Sequence, residues 1–201
     1  MRFVLEMRQA GVTDARALMA LERTPRAHFA PRHLRGLALD DVALPLAQGQ
    51  SMTKPSLVGH VIAALAPASE DVVLEIGAGS GFQTAALSAL ARKVVSLDRW
   101  RDLASAARQR IGEARLMRTY VHTADGFDGW AEDAPYDRIV INAAVTEFPP
   151  ALLAQLKPGG AIVAPIGASE TQRLVRLQNG ERHDFGPVKF APLERGVEDG
   201  A

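Results

Sequence analysis

The sequence predicts an α/β fold: one domain of 201 residues with a mostly parallel β-sheet, helices on both faces, an antiparallel C-terminal edge and an N-terminal helical extension. Three observations predict it. From Asp71 onward short apolar runs alternate with helix-forming segments, and strand then helix, repeated, implies a parallel sheet covered on both sides. The first run, Val72 to Ile76, passes through Gly77, Gly79 and Gly81 straight into a helical segment, as cofactor-binding turns do. Near the C-terminus two further strand-like segments lack a convincing helix between them, so they join the sheet antiparallel.

Taken in order, Thr13 is placed to cap a helix over Asp14 to Arg23, with Ala17, Leu18 and Leu21 on one face and Pro25 marking the end. Ala30 to Lys54 is a long irregular stretch punctuated by Pro31, Gly36, Pro45 and Gly49; such a loop in a small domain is functional or wraps other elements. Pro55 suits the first turn of a helix running to about Leu65, whose Leu57, Val58, Val61, Ile62 and Leu65 form a buried stripe. Strands follow at 72–76, 94–98, 118–122, 137–142 and 161–165, and helices near 81–91, 100–114 and 149–156. The edge segments lie near 171–178 and 187–192.

Composition bounds the function. The chain is 47% hydrophobic and 23% charged, an ordinary globular balance, and its 23 Lys plus Arg against 23 Asp plus Glu create no overall field to attract nucleic acid or a membrane surface. The lack of cysteine excludes a disulfide framework, a thiolate metal site and a cysteine nucleophile. His28, His33, His60, His122 and His183 show no metal-ligand spacing. Arg2, Glu6 and Arg8 lie too close together for a signal-peptide core, and no apolar run approaches a membrane span, so a cytoplasmic protein is expected. Arg23, Arg26, Arg32 and Arg35 with His28 and His33 make a locally basic segment that reads as a solvated face.

The glycine turn selects a cofactor. Gly77, Gly79 and Gly81 permit positive φ and close approach of a ligand to the backbone, and Asp98, ending the second apolar run, is placed to accept hydrogen bonds from ribose hydroxyls. A dinucleotide fingerprint needs a third glycine where this chain has Phe82. The spacing G-x-G-x-G after Glu75 instead resembles the first motif of S-adenosylmethionine-dependent methyltransferases with a Rossmann-like sheet.

With the order of elements, residues 5 to 193 resemble the protein-L-isoaspartate O-methyltransferases. The resemblance lies in VLEIGAGSGFQTAALSAL at 73–90, ADGFDGWAEDAPYDRIVINAA at 124–144, LLAQLKPGGAIVAPIG at 152–167, VKFAPL at 188–193, RTPRAHFAP at 23–31 and LPLAQGQSMTKP at 44–55. The family's pattern departs at Phe82, Leu39 (usually Tyr in both), Ala124 (usually Gly), Thr53 (usually Ser) and Ala47, near where the loop's glycine is expected. These departures gather around the loop that the resemblance places beside the substrate. The resemblance implies cofactor contacts from Glu75, Gly77, Gly79, Gly81, Asp98, Asp125 and Gly126, and substrate contacts from Gln50, Ser51, Thr53, Pro55, Asn142 and Phe190. Without it, DGFDG reads as a plain turn. Residues 1–54 would then be a helical and substrate-loop region, and 55–201 the cofactor-binding sheet core.

The implied reaction is methylation of the α-carboxylate of an isoaspartyl residue in damaged protein or peptide by a monomeric enzyme. A carboxylate is ionised at pH 7 and needs no general base, so the demand is alignment and exclusion of water. Thr53 is the candidate catalytic hydroxyl, donating to that carboxylate; it also reads as a cap for the helix at Pro55. Asn142, Ala143 and Ala144 close the fourth strand, where ligands bind in such sheets, or serve tight packing; Trp100 and Trp130 bracket the cofactor edge or simply pack. Two other readings remain open: a paralogue with another carboxylate acceptor, and a cofactor-binding protein with little turnover.

Overall fold

A computed structural model describes residues 2–168 and 171–200. The chain begins with α1 (Arg2–Gln9) and α2 (Ala15–Arg23). The α2 cap is Asp14, whose carboxylate accepts from the Ala17 N–H at 2.7 Å, and not Thr13: the helix starts one residue later than expected, which moves the capping position onto the acid. The irregular stretch resolves into α3 (Arg26–Phe29), a 3-10 turn over Arg32–Leu37, and a small antiparallel hairpin of β1 (Leu44–Pro45) and β2 (Ser51–Met52). Gln48 and Gly49, both at positive φ, form its tip. Pro55 opens α4 (Pro55–Leu65) as expected, but Thr53 does not cap it. Asp41 does so from a distance, accepting from the Ser56 N–H at 2.8 Å and the Ser56 hydroxyl at 2.6 Å.

Then follow β3 (Val72–Ile76), α5 (Phe82–Ser88), β4 (Lys93–Asp98), α6 (Arg101–Glu113), β5 (Thr119–Thr123), β6 (Tyr136–Ile141), α7 (Pro150–Ala154), β7 (Leu156–Ile166), β8 (Arg173–Gln178) and β9 (Glu181–Pro187). One seven-stranded sheet has the order β5-β4-β3-β6-β7-β8-β9, parallel through β7 and antiparallel thereafter. The last strand lies at 181–187 and not at 187–192, because Asn179 and Gly180, at φ 53° and 81°, turn the chain immediately after β8. The expected helix at 149–156 is shortened because β7 begins at Leu156, and α5 ends at Ser88, short of 91.

Strand residues alternate between two apolar clusters. Val73, Val94, Val140 and Val163 pack with α2, α4, α5 and α6, whereas Leu74, Ile76, Val95, Leu97, Ile139 and Ile141 pack with Phe148 and with Leu152 of α7. Among the described residues no helix is long and apolar enough to cross a membrane.

Gly59 marks where α4 meets α2. A Cβ there would stand 2.9 Å from Val12 Cγ1 and 3.2 Å from Leu21 Cδ1. Helix propensity favours alanine by ~1 kcal/mol, but overpacking against a stiff β-branched side chain costs ~1–3 kcal/mol. Gly59→Ala is therefore expected to lower the urea midpoint, a net loss of about 1 kcal/mol; an equal or higher midpoint would mean that Val12 moves aside.

Candidate active site

The strand order reverses between β3 and β6, and the cleft lies there, outside the carboxyl ends of the strands. The turn after β3 is pinned to β4: the N–H groups of Gly77 and Ala78 both donate to Leu97 O, at 2.8 and 2.9 Å. Gly77, Gly79 and Gly81 have φ of 91°, 53° and 87°, a region closed to most side chains. A Cβ on Gly79 would meet only Leu46 Cδ1, at 3.7 Å, so this backbone faces the open cleft.

Glu75 lies behind the turn, not on the cleft wall. It is fully buried, and its carboxylate accepts from Thr84 Oγ1 at 2.5 Å, Ser96 Oγ at 2.7 Å and Asn142 Nδ2 at 3.1 Å. Asn142 Nδ2 also donates to Gly77 O at 3.1 Å, and Asn142 Oδ1 accepts from Gln83 Nε2 at 2.9 Å. Burial pushes the Glu75 carboxyl up to about 7, against the pull of these donors. Glu75 thus acts on the cleft through Asn142, which lines it.

Asp98 does line the cleft. Its two oxygens are oriented by the Gly79 N–H at 2.8 Å and the Trp100 N–H at 3.0 Å, leaving further lone pairs on each for ribose hydroxyls. Burial raises its pKa, and those backbone donors oppose the rise. Ile76, Leu97, Trp100, Leu103 and Leu193 give apolar walls to a cavity of about 170 Å³. Open glycine backbone, an oriented acid and flat apolar walls fit a nucleoside with an amino-acid tail.

Gly126 also lines the cleft, where a Cβ would collide with Ile76 Cγ2 at 2.4 Å. Asp125 does not: its oxygens accept from the Phe127 N–H at 2.8 Å and the Gly196 N–H at 2.7 Å, so it shapes its own turn and anchors the C-terminal segment. Gly81 lies beneath, its missing Cβ facing Ala107 and Phe29. Trp100 borders the cleft, whereas Trp130 stacks on His122 with ring centroids 4.2 Å apart, outside the lining.

A second, wider groove adjoins the cleft. Gln50, Ser51, Thr53 and Asn142 line both, and Phe190 lines the groove alone. Pro55 is buried at the start of α4 and lines neither. Leu39 is exposed and also outside both linings, so that departure lies away from the cleft and the groove.

Sequence reasoning missed Arg26. Arg23, Arg32 and Arg35 are exposed, as a solvated face requires, but Arg26 is 2% exposed. Its guanidinium donates to the carbonyls of Ala38 and Asp40 at 3.2 Å, Val42 at 2.7 Å and Thr53 at 3.4 Å, gathering the stretch from Ala38 to Thr53 around one cation. Burial lowers its pKa to about 10, countered by Asp41 and Asp40. The signal was present in an arginine set between Pro25 and the apolar Phe29 and Ala30, but a charge pattern cannot show which cation turns inward.

The fold and the cleft define an α/β protein with a nucleoside-type cofactor site at the switch point of its sheet. Among solved structures, a protein-L-isoaspartate O-methyltransferase shares this fold with TM-score 0.84 and 22% identity, covering 98% of this chain and 67% of that one. A putative Plasmodium falciparum protein-L-isoaspartate O-methyltransferase, solved with S-adenosyl-L-homocysteine, shares it with TM-score 0.81 and 18% identity over 96% of each chain. Residues 2–196 match the family described as protein-L-isoaspartate(D-aspartate) O-methyltransferase. The chain belongs to that family. It is similar to the protein-L-isoaspartate O-methyltransferases of Azorhizobium caulinodans (48% identical, 97% of this chain and 92% of the relative) and Paracoccus denitrificans (43%, 98% and 94%).

The buried acid sets a pH dependence. Folded Glu75 holds its proton to about pH 7, against an ordinary value of 4.5, so the folded state binds more protons between these limits. Stability should therefore fall as pH rises from 4.5 to about 7 and level off above, with a contribution of about 3 kcal/mol. Glu75→Gln should flatten most of this slope in urea melts, Asp98 leaving a smaller remainder of the same sign and His122, its pKa lowered by burial, one of the opposite sign; an unchanged slope would assign it elsewhere.

Proposed function

We propose that this chain transfers a methyl group from S-adenosylmethionine to the α-carboxylate of L-isoaspartyl residues in damaged proteins and peptides, as a step of protein repair. Family membership carries the reading, and the adjoining cleft and groove support it: they share Gln50, Ser51, Thr53 and Asn142, so a donor and an extended acceptor can meet there. The bound cofactor would supply an electrophilic methyl group on a sulfonium.

In this reading Asp98 holds the ribose, the Gly77 to Gly81 turn receives the amino-acid end, and Ile76, Trp100 and Leu193 border the base and exclude water. Glu75 and Asp125 act from behind, one orienting Asn142 and the other tethering the segment that carries Leu193. Thr53 Oγ1 donates to the acceptor carboxylate and sets its direction, while the Arg26 guanidinium holds the Thr53 carbonyl. An ionised carboxylate attacks without losing a proton, so the site does its work by positioning. Residues 1–54 serve as the acceptor-binding part of a single domain and 55–201 as its cofactor-binding core, in a monomeric cytoplasmic enzyme.

The test is transfer of labelled methyl to a synthetic isoaspartyl peptide, with the aspartyl peptide as control and base-labile ester as readout. Label on the isoaspartyl peptide alone is the expected result. Cofactor binding with label only on other carboxylates would favour a paralogue, and binding without any transfer would favour a binding role. Thr53→Ala removes one hydrogen bond to a charged group, about 1.5–3 kcal/mol, so turnover should drop roughly ten- to hundredfold while Thr53→Ser retains it. Unchanged turnover in Thr53→Ala would remove Thr53 from the chemistry.

A further inference from the structure

Thr53 and Gln50 stand on one side of the acceptor groove, and Val188 to Ala191 supply another part of its lining. The latter segment follows the last strand and belongs to no regular element. Its conformation is set by Gln172, which is 4% exposed and itself lines neither cavity. The Gln172 carbonyl accepts from the Val188 N–H at 3.0 Å. Its side-chain Oε1 accepts from the Phe190 N–H at 2.7 Å, and its Nε2 donates to the Phe190 carbonyl at 3.0 Å. A primary amide presents an acceptor and a donor side by side, as a neighbouring strand does, so one side chain replaces a ladder partner.

Beyond Phe190 the backbone passes to a different anchor. Ala144, two residues after Asn142, donates its N–H to Ala191 O at 2.7 Å and accepts from the Leu193 N–H at 2.8 Å. Ala191 borders both the groove and the cofactor cleft. The acceptor half of the segment therefore depends on Gln172 and the cofactor half on Ala144.

We infer that Gln172 is a positioning residue for the methyl acceptor: its amide sets the groove wall around Val188 and Phe190 and so governs acceptor affinity. The inference rests on the proposed function. Leucine at 172 matches the volume but leaves the Phe190 N–H and carbonyl without partners, which displaces the wall. Glutamate keeps the acceptor for the Phe190 N–H and loses the donor to the carbonyl.

The test measures KM and kcat for the isoaspartyl peptide, cofactor Kd by calorimetry and Tm, for wild type, Gln172→Leu and Gln172→Glu. Gln172→Leu should raise KM about tenfold with kcat and cofactor Kd within about twofold, as expected for loss of one well-made buried hydrogen-bond pair; Gln172→Glu, which sets a carboxylate oxygen against the Phe190 carbonyl, should raise KM at least as far. An unmoved KM in folded Gln172→Leu overturns the inference, as does cofactor Kd rising in step with KM, which marks general loosening. If the leucine variant fails to fold, the glutamate variant carries the same comparison. A wild type that forms no ester removes the functional reading and the inference together, whereas an active wild type with an insensitive Gln172→Leu removes the inference alone.

Discussion

The cofactor side of this molecule is organised by a single buried carboxylate. Glu75 projects from β3 toward Thr84 of α5 and Ser96 of β4, and reaches Asn142 just beyond β6. Three parts of the fold therefore converge on the two oxygens that β3 presents. An unpaired acid in that position would be strongly unfavourable, and satisfying it requires the glycine turn, α5 and both neighbouring strands to be in register. The register is visible in the ladder, where Glu75 lies opposite Ser96 on one side and Val140 on the other. The same network delivers the Asn142 amide to the place where cleft and groove meet.

The hairpin side of the cleft uses the opposite charge for the same end. The hairpin sets Leu44 and Met52 into the core, Arg26 collects the carbonyls of its flanks, and Asp41 captures Ser56 at the start of α4. Arg26 also lies over the Phe82 ring, 5.8 Å from its centroid, and so touches the helix that follows the glycine turn. A buried acid and a buried base, each satisfied largely by neutral hydrogen-bonding groups, thus hold the two halves of the site.

The C-terminal segment completes the enclosure. After Ala144 holds Ala191 and Leu193, Asp125 takes the Gly196 N–H, and Arg99 reaches the carbonyls of Arg195 and Gly196 at 3.0 and 3.2 Å. The exposed ion pairs of Arg99 with Glu194 and Glu198 add little by themselves. The backbone bonds are what keep Leu193 against the cleft.

By itself the sequence determined the α/β class, the order of strands and helices from Asp71 to β7, the glycine turn and the acid at Asp98. Those features are local: apolar period, positive-φ glycines and a strand-terminal carboxylate can be read within a window of a dozen residues. The motifs quoted for the family also placed Thr53, Gln50 and Asn142 in one neighbourhood. Tertiary structure decided what lies behind the surface. Whether Arg26 faces solvent or the interior, whether Asp125 reaches Gly196, and whether α4 is capped by Thr53 or by Asp41 all depend on partners 11 to 71 residues away along the chain. The same holds for Gln172, a lone amide ahead of a strand, whose role exists only because Phe190 returns to it. Buried polar groups are satisfied by whichever neighbours the fold brings within 3 Å of them, and sequence spacing carries no record of that choice.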